Sequence, residues 1–193
     1  MDGTSALWRR ADEPAGAHDI AAAALAEDRY LRTRGVAQQA ARLARARRVD
    51  RGVRRRLLAA SWLHDVGGAL GPGLPQLEVA RALRRAGHEP IARVAAHAGN
   101  AALTAALAGL APVVREFPAP APPDDAVLLM LDVALVTTAV DGSRATPARA
   151  LRDLVLRTDP RSSTVRVRVA LVARMADDPE ARDLVERVAV PSA

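Results

Sequence analysis

Apolar residues recur three and four positions apart along nearly the whole chain, and no alternating run bounded by hairpin turns interrupts them. The spacing predicts helices over 19–47, with a bend near Gly35, and over 50–66, 75–86, 89–98, 100–110, 124–140, 146–157, 162–176 and 179–188. The punctuation agrees. Asp50 stands where a side-chain oxygen can take the free N–H groups of a first helical turn, and Thr146-Pro147 joins a cap to a proline suited to a helix start. Gly67-Gly68 with the following GPG ends one segment, Gly87 ends another, and Asp141-Gly142 reads as a turn. The proline-rich stretch FPAPAPP (117–123) reads as a loop inside one domain, since only about 70 residues follow it. The expected fold is therefore a single all-α domain of seven to nine helices over 18–188, with loose ends at 1–17 and 189–193.

A chain of 193 residues, half of them hydrophobic, is enough for one core. Aromatic residues make up only 2% of it (Trp8, Tyr30, Trp62 and Phe117), so that core must be aliphatic and close-packed. Cysteine is absent, which excludes disulfides and thiolate metal sites. The opening MDGTSALWRRADEPAG lacks the apolar stretch of a secretion signal. The longest apolar run, AVLLMLDVALVTTAV (126–140), contains Asp132 and is shorter than the roughly 20 residues a membrane-crossing helix needs. A soluble, cytoplasmic protein with no membrane partner is the expectation.

Charge complicates this picture. The net charge is +6, the sequence pI is about 11.2, and eleven arginines between Arg29 and Arg56 face a single acid, Asp50. Such a patch can attract phosphates or nucleic acid. Yet all 28 basic residues are arginine and none is lysine, a bias that fits the codon usage of a GC-rich genome. A solvated basic face is the simpler reading, and an arginine-rich nucleic-acid-binding module stays open beside it.

The stretch with most chemical content is WLHDVGG (62–68), where His64 directly precedes Asp65 in a chain with four histidines. Neighbouring helical residues project about 100° apart, so both can reach one ion lying close to the helix surface. Imidazole and carboxylate together suit Zn, Mn, Fe or similar divalent ions.

The segments around this pair, RYLRTRGVAQQAARLA (29–44), LLAASWLHDVG (57–67), ARALRRAGHEPIARVAAHAGNA (80–101) and LLMLDVALVTTAVDG (128–142), resemble in order the HD-domain superfamily of metal-dependent phosphohydrolases. The resemblance covers roughly residues 28 to 175. It implies an HD-type helical domain whose ligand pattern H…HD…D would hold a divalent ion (Zn, Mn, Fe, Mg or Ni), with His64 and Asp65 as metal-binding and catalytic residues. Two positions depart from that pattern: Arg32 stands where its first histidine would be, and Leu135 where its last aspartate would be.

Helical spacing places both departures inward. Arg32, Val36, Ala40 and Leu43 share a face, as do Leu128, Leu131 and Leu135. A guanidinium stays protonated and has no lone pair to offer a metal, and a buried one needs an anion. Asp65 is the expected partner, so that an Arg32–Asp65 ion pair would occupy the cation's former place. The alternative is a rearranged metal site of His64, Asp65, Asp132 and His97 or His88, with Arg32 turned to a substrate phosphate. His97, on a face with Ile91 and Val94, reads equally as a core histidine, His88 as a residue at a helix start, and His18 as solvent-exposed. Thr137 and Thr138 are expected to bond back to helix carbonyls. No phosphate loop or Ser-His-Asp elbow is present.

Three functions follow as expectations. The first is a degenerate HD-domain protein with a binding, regulatory or structural role, taking a small phosphorylated ligand or a protein partner, with no metal ion of its own. The second is a divergent metal-dependent phosphohydrolase of a nucleotide or other phosphate ester. The third, less favoured, is the nucleic-acid-binding module.

Overall fold

The computed structural model describes residues 7–189; of the loose ends expected at 1–17 and 189–193, residues 1–6 and 190–193 lie outside that range. Nine helices of at least nine residues make up the described chain: α1 (Pro14–Ala24), α2 (Glu27–Ala46), α3 (Arg51–Leu63), α4 (Pro75–Arg85), α5 (Glu89–His97), α6 (Asp124–Val136), α7 (Pro147–Arg157), α8 (Ser163–Asp177) and α9 (Pro179–Ala189). A two-turn helix, Ala101–Leu107, lies between α5 and α6. The only strand-like feature among the described residues is an isolated bridge between Thr138 and Arg144. No helix of the described residues is long and apolar enough to cross a membrane. The all-α expectation holds.

Side-chain caps mark three of the helix starts. The Asp50 carboxylate accepts the Gly52 and Val53 N–H groups at the start of α3, and the hydroxyls of Thr146 and Ser162 do the same for α7 and α8. Gly87 adopts φ +88° after α4. Thr137 and Thr138 donate their hydroxyls to the carbonyls of Val133 and Ala134.

Three expectations need correction. The first long helix breaks at Leu25 and Ala26, both in extended backbone, and not at Gly35. Pro14 opens a separate helix, because its fixed φ suits a first turn, and the acids Glu27 and Asp28 favour a second start. The chain before residue 18 is also not loose as far as it is described: Trp8 and Ala11 are buried in the core. Finally, α3 stops at Leu63, so His64 and Asp65 lie just beyond its end, before a 3₁₀ turn at Val66–Ala69.

The core is aliphatic, as the scarcity of rings requires. Val36, Ala40 and Leu43 of α2, Leu57 and Leu63 of α3, and Leu131, Val133 and Val136 of α6 are fully buried in it. Helix α6 packs against both α2 and α3 and is buried on every side in its second half. Gly35 serves packing: a Cβ there would overlap the Gly142 carbonyl, and one on Gly142, at φ +82°, would overlap that of Leu31. This close approach presses the Asp141-Gly142 turn onto the part of α2 that carries Arg32. Phe117 pins the proline-rich loop, fully buried with the Arg84 guanidinium 3.8 Å from its ring centroid.

Candidate functional site

A cavity of about 250 Å³ opens where α2, the end of α3, the start of α4, α6 and the start of α8 meet. Arg32, His64, Asp65 and Leu135 all line it. The four positions singled out in the sequence thus come together although they lie on three separate elements. Gln76, Gly99, Thr104, Ser163, Thr164 and Arg168 line it as well.

His64 is held by the end of its own helix. Its Nδ1 lies 2.8 Å from the Ser61 carbonyl oxygen, which can only accept, so Nδ1 carries the proton. Burial pushes the imidazole down to about 4, so the ring is neutral at physiological pH. The opposite nitrogen, Nε2, is then a lone-pair acceptor. It is buried with no hydrogen-bond partner among the described residues, and so is Gln76 Oε1.

Asp65 is engaged, but not by the expected partner. Arg29 donates Nε to Asp65 Oδ2 at 2.8 Å and Nη2 to Oδ1 at 2.7 Å, and Nη2 also reaches the Asp65 carbonyl at 2.7 Å. Burial raises the Asp65 pKa, but the Arg29 hydrogen bonds and the surrounding positive charges of Arg29 and Arg32 together hold the carboxyl below its usual range. Arg29 lies one turn before Arg32 on the same face of α2, so the two compete for this acid, and the residue nearer the helix start captures both oxygens. Arg32 is left with a buried Nε that has no partner among the described residues. Its pKa is lowered by burial, opposed by the field of Asp65.

A second guanidinium faces Arg32. Arg168 donates Nη1 to the Leu135 carbonyl, one of the last of α6. Burial and the neighbouring Arg32 charge depress its pKa, but an arginine keeps its proton. The first turn of α8 completes this side. Ser162 caps the Val165 N–H, which leaves the N–H groups of Ser163 and Thr164 without partners inside the helix.

The other two candidate ligands do not join the site. Asp132 is 1% exposed, accepts the Gly99 N–H through Oδ1 at 2.8 Å, and takes Arg174 Nη2 on Oδ2. Because α6 is buried all round, sharing the Leu135 side of the helical wheel did not aim Asp132 at the cavity. His97 lies at the Phe117 loop, its Nε2 2.8 Å from the Phe117 carbonyl. His88 Nε2 lies 3.0 Å from the Trp8 carbonyl. His18 is part-covered rather than free in solvent: it sits within α1, edge-on to Trp62 and 3.0 Å from the Tyr30 hydroxyl.

The donor set does not fit the divalent ion that the sequence resemblance implies. Both Asp65 oxygens accept from Arg29, both Asp132 oxygens are taken, Leu135 offers no donor atom, and two guanidinium charges stand in the cavity. Among the described residues no group of three or more His, Asp or Glu side chains is placed to hold a metal. What the arrangement can do is bind an anion: two arginines and a helix start supply donors around a partly enclosed space.

Four contributors escaped sequence reasoning. Arg29 had a signal, its i, i+3 spacing from Arg32. The Ser162-Ser163-Thr164 run had one too, as a helix start. Arg168 and Gln76 had none, since RVRV offers Arg166 and Arg168 on equal terms. Comparison with protein-family models, with curated proteins and with solved structures finds no match to this chain.

Proposed function

We propose that this protein is an HD-like helical domain that has given up its metal centre and binds a small phosphorylated ligand directly through guanidinium groups. The observation that carries this reading is the meeting of Arg32, His64, Asp65 and Leu135, the four positions of the H…HD…D pattern, around one cavity. Sequence resemblance alone ordered these positions along the chain, and their convergence supports the HD-like reading. The chemistry at the four positions supports the loss of metal: Arg32 brings a fixed positive charge, Leu135 an apolar one, and Asp65 is held by Arg29. Arg32 and Arg168 in a half-enclosed space, beside the start of a 15-residue helix, favour a multi-oxygen anion. The role is one of binding or regulation, not metal-assisted hydrolysis.

Calorimetric titration with inorganic phosphate in the presence of a chelator tests the reading. Binding should persist without divalent ions and fall at least tenfold in Arg32→Gln and in Arg168→Gln. Binding that appears only when a divalent ion is added, or that both variants leave unchanged, contradicts it. Of the arginine-rich stretch, only Arg32 is assigned to the ligand. Arg47 and Arg55 are paired with Glu180 and Asp12 there, and Arg56 with Asp124.

A further inference from the structure

The cavity holds two kinds of unanswered polar atom, and they ask for different things. On one side stand donors: the unpartnered Arg32 Nε, the remaining nitrogens of Arg168, and the first two N–H groups of α8. On the other stand two buried acceptors, His64 Nε2 and Gln76 Oε1. The Ser61 carbonyl fixes the His64 tautomer, and Nε2 can only accept.

A bare oxyanion answers the donors alone. It leaves both acceptors facing it unpaired, and an unsatisfied buried polar atom is costly. A ligand that carries donors next to its anionic group answers both sides of the cavity at once. An ammonium is a poor candidate, because Arg32 and Arg168 line the same space and would repel it. Neutral hydroxyls, one for each acceptor, satisfy them without adding charge. Size narrows the class further: about 250 Å³ falls below the roughly 300–1,000 Å³ typical of sites for drug-sized molecules.

We propose that the ligand is a phosphate monoester of a short polyol, with its phosphate on Arg32, Arg168 and the start of α8 and two neighbouring hydroxyls donating, one to His64 Nε2 and one to Gln76 Oε1. This deepens the proposed function and rests on its anion site. His64 becomes a reader of the ligand's hydroxyl, and the pocket selects by what stands beside the phosphate as well as by the phosphate itself.

Titration of the full-length chain, at fixed ionic strength and with chelator present, compares glycerol 3-phosphate with propyl phosphate. The two share charge and carbon count and differ in the hydroxyls. Glycerol 3-phosphate should bind at least tenfold tighter, and the preference should collapse to about twofold or less in His64→Leu. Gln76→Leu, near the start of α4, should reduce it by a smaller factor and serves as the second test if His64→Leu does not fold. Equal affinities in the native protein, or a tenfold preference that survives in every folded variant of the two, overturn the hydroxyl assignment while leaving the anion site standing. Absence of binding by both esters and by inorganic phosphate overturns the anion site itself.

Discussion

Two carboxylates flank the cavity, each gripped by an arginine, and their settings drive them in opposite directions. Asp65 keeps 23% of its side chain exposed, and the Arg29 fork stabilises its charge. Asp132 is 1% exposed, and there burial outweighs Arg174 and the Gly99 N–H, so its pKa is pushed up to about 6. The same pairing thus yields a reliably ionised acid at the cavity wall and a reluctant one behind it. Depth decides, because the loss of hydration grows faster than a partly exposed partner can repay. Both acids are nonetheless fully engaged, and that leaves the two guanidiniums inside the cavity as the groups available to a ligand.

The largest expected effect concerns Asp132. Its pKa is higher folded than unfolded, so the folded state binds the extra proton and stability declines as pH rises from about 4 to above 6. The span amounts to about 3 kcal/mol by linkage. Asp132→Asn keeps an acceptor for the Gly99 N–H and cannot ionise. Denaturant melts at several pH values should show the native protein losing stability relative to this variant across that window. Parallel curves would show that Asp132 is not held in an ionisation-averse site.

Arg32→Gln should separate binding from stability. Arg32 lies buried beside Arg168, with its Nε unpartnered among the described residues. Its removal should leave thermal stability unchanged or raise it by up to about 1 kcal/mol, while phosphate affinity falls. Residues kept for binding at the expense of stability behave in this way. A loss of several kcal/mol would make Arg32 a structural residue.

The smallest effect belongs to Asp65. Its pair with Arg29 is part-exposed, so Asp65→Asn should lower stability by about 1 kcal/mol or less near neutral pH. The sign of the pH dependence is the reverse of that at Asp132. A carboxyl held low in the folded state contributes stability above its unfolded pKa and loses it as pH falls through the folded value. Acid melts below pH 4 should therefore be flatter in Asp65→Asn than in the native chain.

Much of the fold was legible because it is written in helical period and caps. Asp50, Thr146 and Gly87 mark ends that the structure keeps. The split at Leu25 is not legible in the helical period, since its signal lies outside that period in Pro14, whose fixed φ suits a first turn. At the site, helical spacing turned Arg32 and Leu135 inward, and both line the cavity. Spacing could not choose between Arg29 and Arg32 as the partner of Asp65, because both share one face. Nor could it bring in Arg168, which comes from a helix about a hundred residues away in the chain and becomes meaningful only when α8 packs its first turn against the cavity.

The central claim, that guanidinium groups bind the ligand with no metal between, meets its most direct test at Asp65. In Asp65→Asn a negative charge leaves the wall of a positive cavity and Arg29 is released from its pair. Calorimetric titration of inorganic phosphate with chelator present should then give severalfold tighter binding than in the native protein. Phosphate binding that requires a divalent ion and disappears in Asp65→Asn would instead make Asp65 a metal ligand, and would contradict the account.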